Sequence, residues 1–240
     1  MKLCDLHTHI LPGVDDGAQT MEYAVQMLKN AVASDVEWLA VTPHCNASFG
    51  DGNYQSQNLT NRFLQLQKAA EQFPIHLVLG AEVRVSDDLP ALLTQNKIPS
   101  INNSRYLLTE FPIDTCIEAF PKILQSILNV GYVPLVAHPE RYIAVCEMPY
   151  ITEQWLDMGC HLQLTGGSLM GVYGKIVQRT SAFLLQNDFV ACVASDAHSL
   201  HGRSNFLLDV YDHLSVQYSK HYAGCLLYEN PLAIIRNEAI

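Results

Sequence analysis

The stretch Lys2-Leu3-Cys4-Asp5-Leu6-His7-Thr8-His9, followed by Val14-Asp15-Asp16-Gly17, decides how the rest of the chain is read. Residues 2–7 form a short apolar run with the look of a strand. Side chains alternate along a strand, so His7 and His9 share one face and can converge on one divalent ion. A Pro12-Gly13 turn then returns the chain and brings Asp15 and Asp16 nearby. Two imidazoles and one or two carboxylates within ten residues are a metal-site signal, although His-x-His also occurs in loops without function.

Working outward, similar fragments end later apolar runs. The spacing predicts strands at 37–42, 75–79, 105–109, 132–137, 160–164 and 189–194. Between them lie helices at 21–32, 59–73, 116–130, 150–158, 169–187 (mostly helical) and 204–214. Thr20 is the expected N-cap of the first. A short helix is expected over 88–95 and another over 231–238; residues 45–57 read as a polar, Gly-rich loop. This strand–helix alternation, repeated about seven times, predicts an α/β fold with a parallel sheet and helices outside. His7, His9, His44, Glu82, Glu110, His138, Asp196 and His198 all fall at the C-terminal ends of expected strands. A closed barrel brings those ends to one rim, whereas an open sheet leaves the outer strands too far apart. One domain over residues 1–240 is expected.

Composition narrows the function classes. Fourteen basic residues against 24 acidic ones give a net charge of −10. Such a surface repels phosphodiester backbones and anionic lipid, so neither nucleic acid nor membrane insertion is expected. With no spanning apolar run and no leader pattern, a cytoplasmic location is expected. The seven cysteines are scattered, without a Cys-x-x-Cys pair, which argues against a disulfide framework or zinc ribbon. Cys45 follows His44 but points to the opposite face of a strand, which favours a structural role.

Together with Asp16, the strand-end residues make nine oxygen or imidazole donors, enough for two or three divalent ions with bridging carboxylates. No thiolate is required. That favours Mn²⁺, Fe²⁺ or Zn²⁺, and the histidine content argues against Mg²⁺ alone. Clustered divalent ions of this kind supply hydroxide near neutral pH. No cysteine has an arginine six positions later, so a cysteine-phosphatase mechanism is excluded; neither a P-loop nor a Gly-x-Ser-x-Gly elbow is present. Asp5 is a candidate partner for one imidazole, and Asp15 either does the same or faces solvent. His76, His161, His213 and His221 read as packing or surface residues. For His201 a loop role is favoured over substrate contact.

The motifs Asp-Leu-His7-Thr-His9, Thr-Pro-His44, Gly-Ala-Glu82, His138-Pro-Glu-Arg141 and Ser-Asp196-Ala-His198 resemble those of the PHP (polymerase and histidinol phosphatase) superfamily. The similarity is closest to its bacterial CpsB/YwqE-type manganese-dependent tyrosine-protein phosphatases of capsule and exopolysaccharide operons. His-Ile-Leu-Pro-Gly-Val-Asp-Asp-Gly and His-Pro-Glu-Arg-Tyr are its most specific marks. The resemblance implies a distorted (β/α)₇ TIM-like barrel and a trinuclear site, usually Mn²⁺, that hydrolyses phosphotyrosine. The metal residues it implies are His7, His9, Asp16, His44, Glu82, Glu110, His138, Asp196 and His198, with Glu82 bridging. Arg141 and Arg203 match the arginines that hold phosphate in this branch. Asp16 stands where other branches often carry histidine, which turns the reading away from a histidinol-phosphate type of small-molecule phosphatase. The implied partner is the phosphotyrosine tail of a bacterial tyrosine kinase, and a homo-oligomer is possible. A non-catalytic metal-binding module and a phosphodiesterase or nuclease are the remaining alternatives.

Overall fold

The computed structural model describes residues 2–46 and 52–240. Part of the expected 45–57 loop, residues 47–51, lies outside the described residues. The described residues contain nine strand segments, with helices after all but β2 and β4: β1 (Leu3–Asp5), β2 (Val36–Val41), β3 (His44–Cys45), β4 (His76–Leu79), β5 (Glu82–Arg84), β6 (Tyr106–Glu110), β7 (Val133–Ala137), β8 (His161–Thr165) and β9 (Cys192–Ala194). The ladders between these strands are parallel, in the orders β1-β2-β4 and β3-β5-β6-β7-β8-β9.

The two sheets are parts of one ring. β3 and β5 continue β2 and β4 after interruptions at Thr42-Pro43 and Gly80-Ala81. Pro43 has no N–H to give to a ladder. Hydrogen bonds cross the interruption from Gly80 N–H to Val41 O (2.9 Å) and from Glu82 N–H to Pro43 O (3.1 Å). On the far side, Asp196 N–H donates to His7 O and His9 N–H to Ala197 O, both at 2.9 Å, alongside a Thr8–Ala197 parallel bridge. Seven strand positions therefore close into the expected barrel, two of them broken in the middle.

Helices cover the outside because each has one apolar face. In Met21–Ala33, Ala24, Met27, Leu28 and Ala31 recur at helical spacing and are buried, and the Thr20 hydroxyl caps the Tyr23 N–H at 3.2 Å as expected. A fully buried leucine such as Leu28 or Leu66 stabilises the fold by roughly 1.5–3 kcal/mol relative to exposure. The 169–187 helix is instead divided. A one-turn helix, Gly166–Leu169, is followed by a turn and then Lys175–Gln186. Gly171 (φ +80°) and Gly174 (φ +91°) take the left-handed conformation in that turn, which a continuing helix cannot accommodate. The 204–214 helix lies at Leu207–Gln217, and the chain closes with Lys220–Gly224, a π-helical turn at Cys225–Glu229, and Asn230–Ile235. Among the described residues no helix is long and apolar enough to cross a membrane.

Candidate metal centre

The C-terminal rim of the barrel collects the strand-end residues around one carboxylate. Glu82, at the start of β5 and 1% exposed, has Oε2 3.2 Å from both His7 Nε2 and His9 Nε2 and 3.0 Å from His44 Nδ1. Its Oε1 lies 2.8 Å from His138 Nε2. Four imidazoles thus converge on two oxygens, an arrangement suited to a bridging carboxylate with about four lone-pair directions. His7 Nε2 and His9 Nε2 stand 3.1 Å apart, so their lone pairs address one point.

A second group forms nearer solvent. Asp16 Oδ1 is 3.4 Å from His44 Nε2 and 3.3 Å from His198 Nε2, with its side chain 62% exposed at the mouth of the site. His9, Asp16, His44 and His198 offer donor atoms within 4.8 Å of one another; His7, His9 and Glu82 do so as well, as do His44, Glu82 and Glu110. Glu110 also accepts from Arg84 Nη1 at 2.9 Å. The residues fit a metal cluster on two grounds. The donors are imidazole and carboxylate, with no thiolate. Among the described residues the buried His138 Nδ1 has no hydrogen-bond partner, and native proteins seldom leave such an atom unmatched.

Outer partners fix the rings. Gln163 Oε1 lies 2.9 Å from His7 Nδ1, and Asp15 Oδ2 lies 2.8 Å from His9 Nδ1. Asp15 also accepts from the N–H groups of His44 and Gly17, each at 3.0 Å. Such contacts set the tautomer and aim the free nitrogen into the site. Asp15 therefore orients an imidazole, and the solvent-facing alternative is set aside. Asp5 differs from expectation. Its carboxylate takes the His7 backbone N–H (3.3 Å), the Ser195 N–H (2.9 Å) and hydroxyl (2.6 Å), and Asn205 Nδ2 (2.6 Å). Alternation placed Asp5 on the histidine face, but its register partner is Leu39, which packs in the outer cluster, and its reach is to the β9 end and Asn205 rather than to an imidazole.

Charge is strongly coupled here. Burial opposes ionisation of Glu82, yet His7, His138 and His44 hold its carboxyl well below the usual range. Burial also opposes protonation of His7 and His44, but the facing carboxylates overcome it. Glu82 and Asp196 raise His7 to about 9, and Asp16 and Glu82 raise His44 to about 11. The carboxylates thus demand positive charge, which divalent ions supply equally well.

Asp196 lies between this cluster and two arginines. Its Oδ2 accepts from Arg141 Nη1 and Arg203 Nη2, each at 3.0 Å, and Oδ1 accepts from Arg203 Nη2 at 3.0 Å. Asp196 is 1% exposed, whereas Arg141 and Arg203 are 20% and 33% exposed, so the guanidinium groups face the opening. The Arg141 guanidinium lies 4.8 Å from the ring centroid of Tyr173, and the Tyr173 phenol interacts with Arg203. Both His138 (φ +36°) and Asp196 (φ +53°) are left-handed, a conformation that costs a non-glycine residue about 1–3 kcal/mol and clusters at functional sites.

All nine candidate metal residues and both arginines meet at this rim. Gln163, Tyr173 and Glu140 were not anticipated. Glu140 is fully buried and accepts the Thr165 N–H at 2.9 Å, tying the Pro139–Arg141 turn to the end of β8. A lone glutamine within the otherwise apolar end of the 160–164 run was the available signal for Gln163. Cys45 is buried, and burial pushes its thiol up to about 12, consistent with the structural role favoured for it. His201 is exposed in the 198–206 loop.

The fold recurs in distant hydrolases: a lactonase from Listeria monocytogenes superposes with a TM-score of 0.66 at 10% identity, covering 99% of this chain and 95% of the other, which bears on fold alone. Nearer relatives carry more. Tyrosine-protein phosphatase YwqE of Bacillus subtilis is 30% identical over 99% of this chain and 93% of its own length. Tyrosine-protein phosphatase CpsB of Streptococcus pneumoniae is 30% identical over 99% and 100%. A solved structure from work on YwqE and CpsB, described there as metal-dependent tyrosine phosphatases, matches with a TM-score of 0.92 at 30% identity, over 99% of this chain and 96% of that one. The family model for capsular polysaccharide synthesis proteins of the CpsB/CapC type matches residues 3–236, and the chain belongs to that family.

Proposed function

We propose that this protein is a metal-dependent protein-tyrosine phosphatase. The observation that carries this reading is the juxtaposition of a buried Glu82-centred donor cluster with two solvent-facing arginines, joined through Asp196. Three divalent ions, Mn²⁺ in preference to Fe²⁺ or Zn²⁺, would be held by His7, His9, Asp16, His44, Glu82, Glu110, His138, Asp196 and His198. Such ions supply activated water near neutral pH and charge stabilisation for an in-line displacement at phosphorus.

The chain's own residues do the rest. Arg141 and Arg203 bind the non-bridging phosphoryl oxygens, each presenting donors in a planar fork. Asp196 holds both guanidinium groups at the inner edge of the opening. Gln163 and Asp15 keep the His7 and His9 tautomers fixed during turnover. The tyrosine phenolate departs readily because its conjugate acid has a pKa of about 10. The substrate is the phosphotyrosine tail of a bacterial tyrosine kinase that controls capsule or exopolysaccharide assembly. The protein acts in the cytoplasm as one domain over residues 1–240, with homo-oligomerisation open to it.

The test compares Mn²⁺-loaded protein with its His7→Ala variant on a phosphotyrosyl peptide and on histidinol phosphate. The expected result is a higher kcat/KM on the peptide and its collapse in the variant. Equal peptide turnover by both proteins, or preference for histidinol phosphate, refutes the reading.

A further inference from the structure

A second donor cluster lies at the other end of the molecule. His221, Cys225 and Glu229 follow one another at intervals of four along the final helical segments. Their donor atoms lie within 4.8 Å of one another. Cys225 Sγ is 3.8 Å from His221 Nε2 and 3.4 Å from Glu229 Oε2. A tetrahedral ion with metal–sulfur and metal–nitrogen bonds of about 2.3 and 2.0–2.1 Å has ligand–ligand edges of about 3.5 Å. The two thiol contacts bracket that edge without any backbone movement.

The setting is anchored to the barrel and separate from the rim. The π-helical turn Cys225–Glu229 turns Leu226 and Leu227 inward, both buried. Tyr228 hydroxyl donates to Glu37 Oε2 at 3.1 Å, at the start of the β2 region, and Asn230 Nδ2 donates to Ala191 O at 2.8 Å, just before β9. These anchors lie at the N-terminal ends of the strands, opposite the Glu82 cluster. At the other edge, the Ser219 hydroxyl caps Tyr222 N–H at 3.0 Å and starts the segment that carries His221. His221 and Glu229 are exposed, so an ion has a direct path in from solvent.

We infer that His221, Cys225 and Glu229 form a surface site for a borderline-soft divalent ion of the Zn²⁺ or Co²⁺ class, with three protein donors and one position for solvent. Ligands at i and i+4 on one helix face are an established way to hold zinc. A mixed imidazole, thiolate and carboxylate set selects that class over Mn²⁺, Mg²⁺ or Ca²⁺. On binding, the thiol proton is released to solvent and the sulfur enters as thiolate. The ion ties three consecutive helical turns together and so secures the segment that covers β1 and β9.

The experiment needs no turnover, so it stands or falls independently of the phosphatase reading. Co²⁺ is titrated into full-length Mn²⁺-loaded protein, and the sulfur-to-cobalt charge-transfer absorption is followed. This band reports only a thiolate ligand, and the rim cluster contains none. Co²⁺ added beyond the amount that exchanges into the rim cluster, which gives no thiolate band, is expected to develop the band, and excess Zn²⁺ to abolish it. Cys225→Ser is expected to lose it, and His221→Ala and Glu229→Gln to weaken Co²⁺ binding by about tenfold or more, the equivalent of at least one ligand interaction. All three positions are at the surface, and unchanged circular dichroism confirms folding. Absence of the band in the native protein overturns the assignment, as does its persistence in Cys225→Ser. Native-like affinity in both His221→Ala and Glu229→Gln also overturns it, because the thiol would then be acting alone.

Discussion

Gly17 is the position where one added methyl group should do the most damage. A Cβ at Gly17 would lie 1.9 Å from His9 O, 2.5 Å from His9 Cβ and 2.7 Å from the His9 carbonyl carbon. Reaching even 3.0 Å from that oxygen requires the two backbones to part by about 1 Å. Three contacts hold them together: Ala18 N–H to His9 O at 2.9 Å, Gly17 N–H to Asp15 Oδ1 at 3.0 Å, and Asp15 Oδ2 to the His9 ring at 2.8 Å. The strain is therefore delivered to a candidate metal residue and to the carboxylate that orients it. Gly17→Ala is expected to cost about 1–3 kcal/mol of stability, the usual range for overpacking. Because a 1 Å misplacement can cost about 10²-fold in rate, kcat on a phosphotyrosyl peptide should fall by about two orders of magnitude. Metal equivalents retained after chelator-free purification should fall with it. Gly224→Ala, where an added Cβ meets nothing within 4 Å, is the control and should be neutral or slightly stabilising. A Gly17→Ala protein with kcat within about twofold of the parent and full metal content would show that the 8–18 loop does not set His9.

Further consequences can be measured separately. Asp15→Asn removes the charge that orients His9 and supports the His44 N–H, so metal affinity in a chelator competition should drop about 10–100-fold; no change would place the orienting role elsewhere. Tyr173→Leu should raise KM for phosphotyrosyl peptide several-fold with kcat nearly unchanged, by removing a cation–π contact of about 0.5–2 kcal/mol from Arg141, while Tyr173→Phe retains most of it; equal effects of the two would refute the contact's role. Burial and then Arg105 depress the pKa of His161, so the unfolded chain takes up the proton first as pH falls below about 6.5. Stability contributed by neutral His161 is present above that pH and is lost as pH falls through the depressed folded value. His161→Gln should shrink the acid-side fall in Tm, and an unchanged Tm–pH profile would count against it.

Much of the barrel was legible because each strand is a short apolar run that ends in a polar residue. The signal at Thr42-Pro43-His44 and Gly80-Ala81-Glu82 was strong enough to place both candidate metal residues. It was not enough to show that the strands break there and resume as β3 and β5, because ladder continuity depends on partners far away in sequence. The central place of Glu82 was suggested only through resemblance. Its four-imidazole geometry depends on barrel closure. Gln163 escaped notice because one polar residue in a strand usually faces solvent, and only the closed ring turns it inward. Asp5 was read from strand alternation as sharing the histidine face, but its register partner is Leu39 of the outer cluster and its carboxylate serves Ser195 and Asn205, because alternation does not carry through from β1 to His7. Gly171 and Gly174 were visible breakers within the 169–187 helix, and apolar periodicity on either side masked them. Tyr173 was out of reach, since it meets Arg141 only through the turn those glycines create.

The Asp5 network also constrains when the centre comes into being. Asp5 is satisfied by Ser195 and Asn205, 190 and 200 residues further along, and the His7–Asp196 and His9–Ala197 backbone hydrogen bonds close the ring at the same place. During synthesis His7 and His9 emerge 189 residues ahead of Asp196 and His198 respectively, and the first pair waits for that length of chain before it meets its complement. Long-range closure of this kind slows folding. It also means that an ion captured early by the amino-terminal segment meets only a fragment of the donor set, so the full set of donors is reserved for the finished barrel.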